Sequence, residues 1–253
     1  MKKLSVLVFN TCYSTNAKNL VGFLRTHADH YLNRHDKIEK YADLDRTLDV
    51  VKNKQPEILL LMEVLGGTQT DYLADKLRKN GYKSVHVGKG HGYGNAGKNV
   101  QLILATKQEN ETQDNIEFDV PKRPGNGGGM VSTVIKPLDC LVIGVHWPRK
   151  GLDTAKRKYL EVLKKIIRKN KCKRVILMGD LNMTPEKWRK NYSDLLPGFS
   201  LLSADSPTCS ATFLFRNFYS KCLDLIYGKG FTTNKKEIIE TYSDHKAVYV
   251  ELE

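Results

Sequence analysis

The sequence predicts an α/β fold in a single domain, on three observations. Short, fully apolar runs alternate with segments of helical periodicity. The alternation continues through 253 residues without a Pro- or Ser-rich linker, a repeat or a low-complexity tail. Finally, the apolar runs repeatedly end in one polar residue: Asn10, Glu63, His146 and Asp180.

Leu4–Asn10 opens the chain as a buried strand. Its apolar run is interrupted by Ser5 and is too short for the core of a secretory signal. Residues 13–40 are polar and weakly periodic. Leu44–Val51 places Leu44, Leu48 and Val51 on one helical face, and Pro56 marks the break after it. Glu57–Glu63 (EILLLME) reads as a fully buried strand. Gln69–Asn80 reads as a helix that Gly81 stops. Val85–Val87, Val100–Ala105 and Ile116–Val120 are short strands, with a glycine-rich loop at 88–97 and another loop at 121–129. Val131–Ile135 and Cys140–Trp147 form a strand pair. Asp153–Lys169 is the clearest helix, with an Asp cap and Tyr159, Val162, Leu163 and Ile166 at helical spacing. Strands Arg174–Gly179, Cys222–Tyr227 and Lys246–Leu252 complete the pattern.

Composition narrows the function classes. Hydrophobic residues make up 40% and aromatics 9%, which suits a packed core rather than disorder. The net charge of +13 favours an anionic partner, nucleic acid first. Five cysteines without a metal-type CxxC pair read as reduced thiols, with a Cys209–Cys222 bridge as the alternative. No stretch reaches transmembrane length, so a cytoplasmic protein without stable membrane association is expected.

The polar strand ends carry the chemistry. Cleavage of a phosphodiester needs a cation to neutralise the phosphate, a base for the attacking water and donors for the developing charge. Hard ions such as Mg²⁺ and Mn²⁺ take carboxylate and amide oxygens. Glu63, Asp180, Asp224 and Asp244 supply carboxylates, and Asn10 and Asn182 supply amides. His146 and His245 can donate to phosphate oxygens or move a proton.

Six segments also resemble, in order, the motifs of the endonuclease/exonuclease/phosphatase family, which includes the pancreatic-type deoxyribonucleases. They are Phe9-Asn10 after a strand, Glu57–Val64 (EILLLMEV), Gly144–Pro148 (GVHWP), Val175–Pro185 (VILMGDLNMTP), Leu223–Tyr227 (LDLIY) and Thr241–Val248 (TYSDHKAV). A lone Gly-Asp-x-Asn turn says little; six ordered matches say much. The resemblance implies a four-layer αββα sandwich with two mostly antiparallel central sheets. It implies that Glu63 is the principal metal ligand, helped by Asn10 and Asp244. Asp180 would orient and deprotonate water, Asn182 would stabilise the phosphate, and His245 would donate to it with Asp224 as orienting carboxylate. His146 resembles the second histidine of the deoxyribonuclease, sphingomyelinase and inositol-phosphatase branches; the apurinic-site branch has Tyr and Asn there instead. In pancreatic-type enzymes that histidine pairs with an upstream glutamate, yet no Asp or Glu occurs between Asp75 and Glu109. The segment 13–40 also lengthens the gap between Asn10 and Glu63.

The expected function is a Mg²⁺- or Mn²⁺-dependent DNA endonuclease of low sequence specificity, acting on duplex DNA. The alternative is a phosphatase or phospholipase of the same fold acting on inositol phosphates or sphingomyelin. Arg149 and Lys150, directly after the His146 segment, are candidates for flanking phosphates, with Arg123 and Arg216 on loops. Tyr93, with Lys89 and Lys98, marks the glycine-rich loop as a substrate loop; it lacks the Lys-Ser/Thr ending of a nucleotide phosphate loop. His27, His30 and His35 read as surface histidines rather than a zinc cluster. The basic run from Lys164 to Arg174 reads as a solvated helix end.

Overall fold

The computed structural model describes residues 3–32, 34–88, 100–117, 128–148, 153–213 and 216–253. Strands β1 (Leu4–Asn10), β2 (Ile58–Leu65), β3 (Ser84–Gly88) and β4 (Val100–Thr106) join β13 (Thr233–Ile239) and β14 (Ala247–Leu252) in one six-stranded sheet. Its order is β13-β14-β1-β2-β4-β3. The second six-stranded sheet has the order β5-β6-β7-β8-β12-β9. Its strands are β5 (Thr112–Glu117), β6 (Gly129–Ile135), β7 (Cys140–His146), β8 (Arg174–Asp180), β9 (Ser200–Leu201) and β12 (Asp224–Lys229). A separate hairpin pairs β10 (Cys209–Phe213) with β11 (Arg216–Lys221).

Each large sheet contains one parallel pair at its centre, β1 with β2 and β7 with β8; every other pairing is antiparallel. Parallel neighbours need a long crossover. The first crossover holds α1 (Leu20–Tyr31), α2 (His35–Tyr41) and α3 (Leu44–Lys54). The second holds α5 (Asp153–Asn170), after α4 (Thr68–Lys79) and ahead of α6 (Pro185–Asn191).

The strands read as unbroken apolar runs because both faces are covered. Val6, Val8, Ile58 and Leu60 face the second sheet and pack with Val131, Val142, Ile176, Met178 and Ile226. Leu7, Phe9, Leu59 and Leu61 face outward, under Leu48 and Val51 of α3 and Leu73 and Leu77 of α4. On the far side, Leu160, Leu163 and Ile166 of α5 and Trp188 of α6 cover Leu141, Ile143, Val145, Val175 and Leu177. The result is helix, sheet, sheet, helix, as the resemblance implied. No described helix is long and apolar enough to cross a membrane.

Several readings are corrected. The polar, weakly periodic segment 13–40, to which no element was assigned, carries α1 and most of α2. The strand placed at Ile116–Val120 lies earlier, at Thr112–Glu117, with residues 118–120 outside the described set. Arg216 begins a strand rather than sitting on a loop. All five cysteines are free, so there is no Cys209–Cys222 bridge.

Gly179 is where the chain tolerates only glycine. Its φ is +141°, and a Cβ there would lie 1.8 Å from the Val145 carbonyl oxygen of β7. Gly179→Ala is therefore expected to destabilise the protein by at least about 3 kcal/mol, since the obstacle is backbone and cannot swing away. Urea unfolding of the variant checks this; an unchanged midpoint would contradict the close approach of β7 and β8.

Candidate active site

The carboxyl-terminal ends of the two parallel pairs meet. Asn10 ends β1, Glu63 lies near the end of β2, and His146 and Asp180 end β7 and β8 as direct register partners. Two sheets packed face to face thus bring four polar side chains to one edge. The Asn10 amide joins the sheets: its Nδ2 donates to Glu63 Oε1 at 3.0 Å and to Asp180 Oδ2 at 3.3 Å. Its Oδ1 accepts from the Cys12 N–H at 3.2 Å, which fixes the orientation of the amide.

Glu63 reaches this edge through a backbone irregularity. The β2–β4 register slips between Leu61 and Val64, and Glu63 has a φ of +53°. Such a bulge re-aims a side chain at a cost of about 1–3 kcal/mol, which neighbouring contacts must offset. Thr11 supplies them. Its N–H donates to the Met62 carbonyl at 3.0 Å, and its hydroxyl lies 3.0 Å from that oxygen and 3.2 Å from the Glu63 carbonyl.

Asp180 is buried and tightly held. Its Oδ1 accepts from the Asn182 N–H at 2.8 Å, its carbonyl accepts from the Trp147 N–H at 2.7 Å, and its own N–H points at Met62 Sδ, 3.0 Å away. Asn182, at φ +47°, donates its Nδ2 to the Trp147 carbonyl at 2.7 Å. The Gly-Asp-Leu-Asn turn and the His-Trp-Pro segment thereby clamp each other.

Opposite Asp180 in the antiparallel register sits Asp224, fully buried at the start of β12. Its Oδ2 accepts from His245 Nδ1 at 2.7 Å. Thr208 fixes the backbone at the start of β12, its hydroxyl accepting from the N–H groups of Leu223 and Asp224 at 3.0 and 2.9 Å. The Ser243 hydroxyl lies 3.0 Å from the Asn10 carbonyl and 3.2 Å from Asp244 Oδ1, and it accepts from the His245 N–H at 3.1 Å. It ties the segment before β14 to the end of β1.

Electrostatics separate the two histidines. Burial lowers the His146 pKa from the usual imidazole value and outweighs the opposing charge of Asp180. Burial would lower His245 too, but the Asp224 carboxylate wins and holds it protonated well above the usual range. Burial pushes Asp180 up to about 6, with the charge of Asp224 adding to it. Glu63 is also raised, by burial first. Burial, together with the Asp244 and Glu63 carboxylates, pushes the Cys12 thiol well up.

Every residue expected to act in catalysis or metal binding lies in this arrangement: Asn10, Glu63, His146, Asp180, Asn182, Asp224, Asp244 and His245. Glu63, His146 and Asp180 offer ligand atoms within 4.8 Å of one another. The carboxylates near His146 come from the site itself: Nε2 is 3.5 Å from Glu63 Oε1 and 3.8 Å from Asp180 Oδ2. Arg149, Lys150, Arg123 and Tyr93 lie outside the described residues, as do Lys89 and Lys98. The reading of His27, His30 and His35 as surface residues is overturned: His30 and His35 are buried, and His27 Nε2 lies 4.0 Å from Asp244 Oδ2. Sequence reasoning missed Thr11 and Thr208, and it saw His27 but placed it on the surface. The polar Thr11 directly after Asn10 was the one available signal.

The model of the endonuclease/exonuclease/phosphatase family matches residues 14–245. No curated sequence gives a match. Among solved structures, D. rerio TDP2 complexed with a single-strand DNA product aligns over 100% of both chains at 16% identity, TM-score 0.65. An endonuclease/exonuclease/phosphatase family protein from Leptotrichia buccalis C-1013-b aligns over 99% of both chains at 14% identity, TM-score 0.65. The human Nocturnin catalytic domain with bound sulfate anion aligns over 99% of this chain and 93% of its own, at 14% identity and TM-score 0.64. At these identities the likeness is one of fold.

Proposed function

The chain belongs to the endonuclease/exonuclease/phosphatase family, whose members are metal-dependent hydrolases of phosphoesters, and from that premise we propose that it is a DNA endonuclease. The observation that carries the chemistry is the Asn10 amide bridging Glu63 and Asp180 across the two sheets, with the Asp224–His245 pair beside it. The +13 charge and the DNA product in the TDP2 structure support a nucleic-acid substrate.

The residues fit a hard divalent cation. Glu63 and Asp180 are carboxylates pushed toward protonation by burial, and they share one amide donor. An oxygen-rich, under-neutralised pocket of this kind suits Mg²⁺ or Mn²⁺. Glu63 and Asp244 are the proposed ligands, and Asn10 joins them through its oxygen only with the amide reversed, since here its NH₂ faces Glu63. When bound, the ion neutralises phosphate charge and polarises the phosphorus centre.

The remaining roles follow from protonation and geometry. Asp180, raised to about 6, is the general base for water, and the Asn182 N–H and Asn10 amide hold its two oxygens in place. His245 stays protonated and donates to a phosphate oxygen. His146 stays neutral at pH 7, so it orients the phosphate and accepts rather than supplies charge. Asn182 is the proposed phosphate stabiliser, its amide fixed by the Trp147 carbonyl.

Incubation with supercoiled plasmid, and in parallel with single-stranded oligonucleotides, phosphoinositides and sphingomyelin, tests the reading. Nicking that requires Mg²⁺ or Mn²⁺, stops with EDTA and falls at least about 100-fold in Glu63→Gln is expected. Phosphate or headgroup release from lipid without nicking would replace the nuclease with the phosphatase or phospholipase.

A further inference from the structure

The segment between Asn10 and α3 folds over the edge of the site. Cys12, Tyr13, Ala17, Ile38, Leu65 and Val100 form a small apolar cluster beneath it. The buried His30 ring stacks on Tyr13 at 4.9 Å and lies 5.5 Å from the ring of His35. One helical turn before His30, His27 meets Phe23 edge-on at 4.1 Å, which limits its rotation. His27 thereby presents Nε2 toward Asp244 Oδ2, 4.0 Å away. Cys12, almost wholly buried, completes the group: its Sγ, a ring nitrogen of His27 and a carboxylate oxygen of Asp244 all lie within 4.8 Å of one another.

We infer that Cys12, His27 and Asp244 form a second cation site, selective for a borderline, thiolate-accepting divalent ion of the Zn²⁺ or Co²⁺ kind. Its donors differ in kind from those proposed for Mg²⁺. One sulfur, one imidazole nitrogen and one carboxylate oxygen are what such ions select, whereas Asn10 and Glu63 offer only hard oxygen. The separations suit it. Tetrahedral ligands at zinc-like bond lengths stand about 3.3–3.8 Å apart, so the His27–Asp244 pair at 4.0 Å needs to close by only a few tenths of an ångström and no pair by more than about 1.5 Å. Three protein ligands leave a fourth position for water or a substrate oxygen, the arrangement of an open rather than a closed site.

The three ligands come from separate segments: the turn after β1, helix α1, and the loop before β14. Binding therefore also staples the 13–40 segment to the catalytic edge. On binding, the thiol proton leaves to solvent and the sulfur coordinates as thiolate. Asp244 is common to this site and to the proposed Mg²⁺ ligands, so the two cations would be adjacent.

Co²⁺ titrated into the full chain in excess Mg²⁺ tests the site. One equivalent is expected, with thiolate-to-cobalt charge-transfer absorption in the near ultraviolet and tetrahedral bands in the visible. Cys12→Ser should abolish the charge-transfer band. His27→Ala should weaken Co²⁺ binding at least tenfold. Cys209→Ser should leave both unchanged, although Cys209, Asp244 and His245 form another group of close ligand atoms. A circular dichroism melt accompanies each variant; should Cys12→Ser not fold, His27→Ala decides, because its side chain is 24% exposed. The inference is overturned by a wild-type protein without the charge-transfer band, by a band that survives Cys12→Ser, or by undiminished affinity in His27→Ala. Plasmid nicking in Mg²⁺ alone is read separately, so failure of this site leaves the nuclease reading standing, and the reverse.

Discussion

Asp180→Asn is expected to lower plasmid cleavage by about 10²–10⁴-fold while making the metal-free protein more stable. The kinetic loss follows from removing the base. The gain in stability follows from the raised pKa. Below about pH 3.8 the carboxyl is protonated in both folded and unfolded chains and contributes nothing. As pH rises through 3.8 toward about 6, the unfolded chain ionises first and the folded state is progressively disfavoured. Above about 6 the full penalty, about 3 kcal/mol, persists. Asparagine removes it but turns a second NH₂ toward the Asn10 amide, which costs about 1 kcal/mol in hydrogen bonding. The net gain of about 2 kcal/mol corresponds to a rise in Tm of about 4–8 °C at pH 7, falling to nothing near about pH 4.5 and reversing below it, where only the hydrogen-bonding cost remains. Added Mg²⁺ should raise the Tm of the wild type more than that of the variant. Parallel Tm–pH curves for the two proteins in EDTA would sink this account of Asp180.

The second large effect lies in the His245–Asp224 pair. His245→Ala leaves Asp224 buried without its cation, so a loss of about 3–5 kcal/mol in stability accompanies a drop in turnover of at least about 100-fold. Asp224→Asn separates the two effects. It keeps the shape but removes the charge that holds His245 protonated against burial. Wild-type activity should persist well above the ordinary histidine range, because the donor keeps its proton there. In Asp224→Asn the alkaline limb of the kcat/KM profile should move to lower pH by at least about one unit. A merely structural Asp224 would lower activity at every pH and leave the limb in place.

How far the site could be read in advance depends on what put each residue there. Asn10, His146 and Asp180 were legible because a doubly covered strand is apolar until the residue that leaves the core. Glu63 was legible by type, but not the left-handed bulge that aims it, since nothing in EILLLME marks a register slip. β13 escaped notice because Thr233–Ile239 is an edge strand with a charged centre, the pattern that blunts edges. The helices α1 and α2 escaped because their buried faces carry Thr26, Asp29, His30 and His35, with Ile38 as a lone buried aliphatic residue. The partners of His146 could not be found by looking in the Gly-rich region of the chain. Glu63 stands on the other sheet, 83 positions upstream and well before the Gly-rich region, and Asp180 stands on the neighbouring strand, 34 positions downstream.

The parallel pair at the centre of each sheet also sets when the protein can act. Each pair belongs to its own half of the chain, and neither half alone holds both a base and its opposing ligand. The Asn10–Asp180 bond spans 170 residues, and the Ser243–Asn10 bond spans 233. Contacts so distant form late, after the loops between them have closed. With the roles proposed for Asp180 and His245, a nascent chain lacks a complete site until His245 has emerged and β14 has docked beside β1. Topology itself thus shields a cell making this hydrolase from half-built copies.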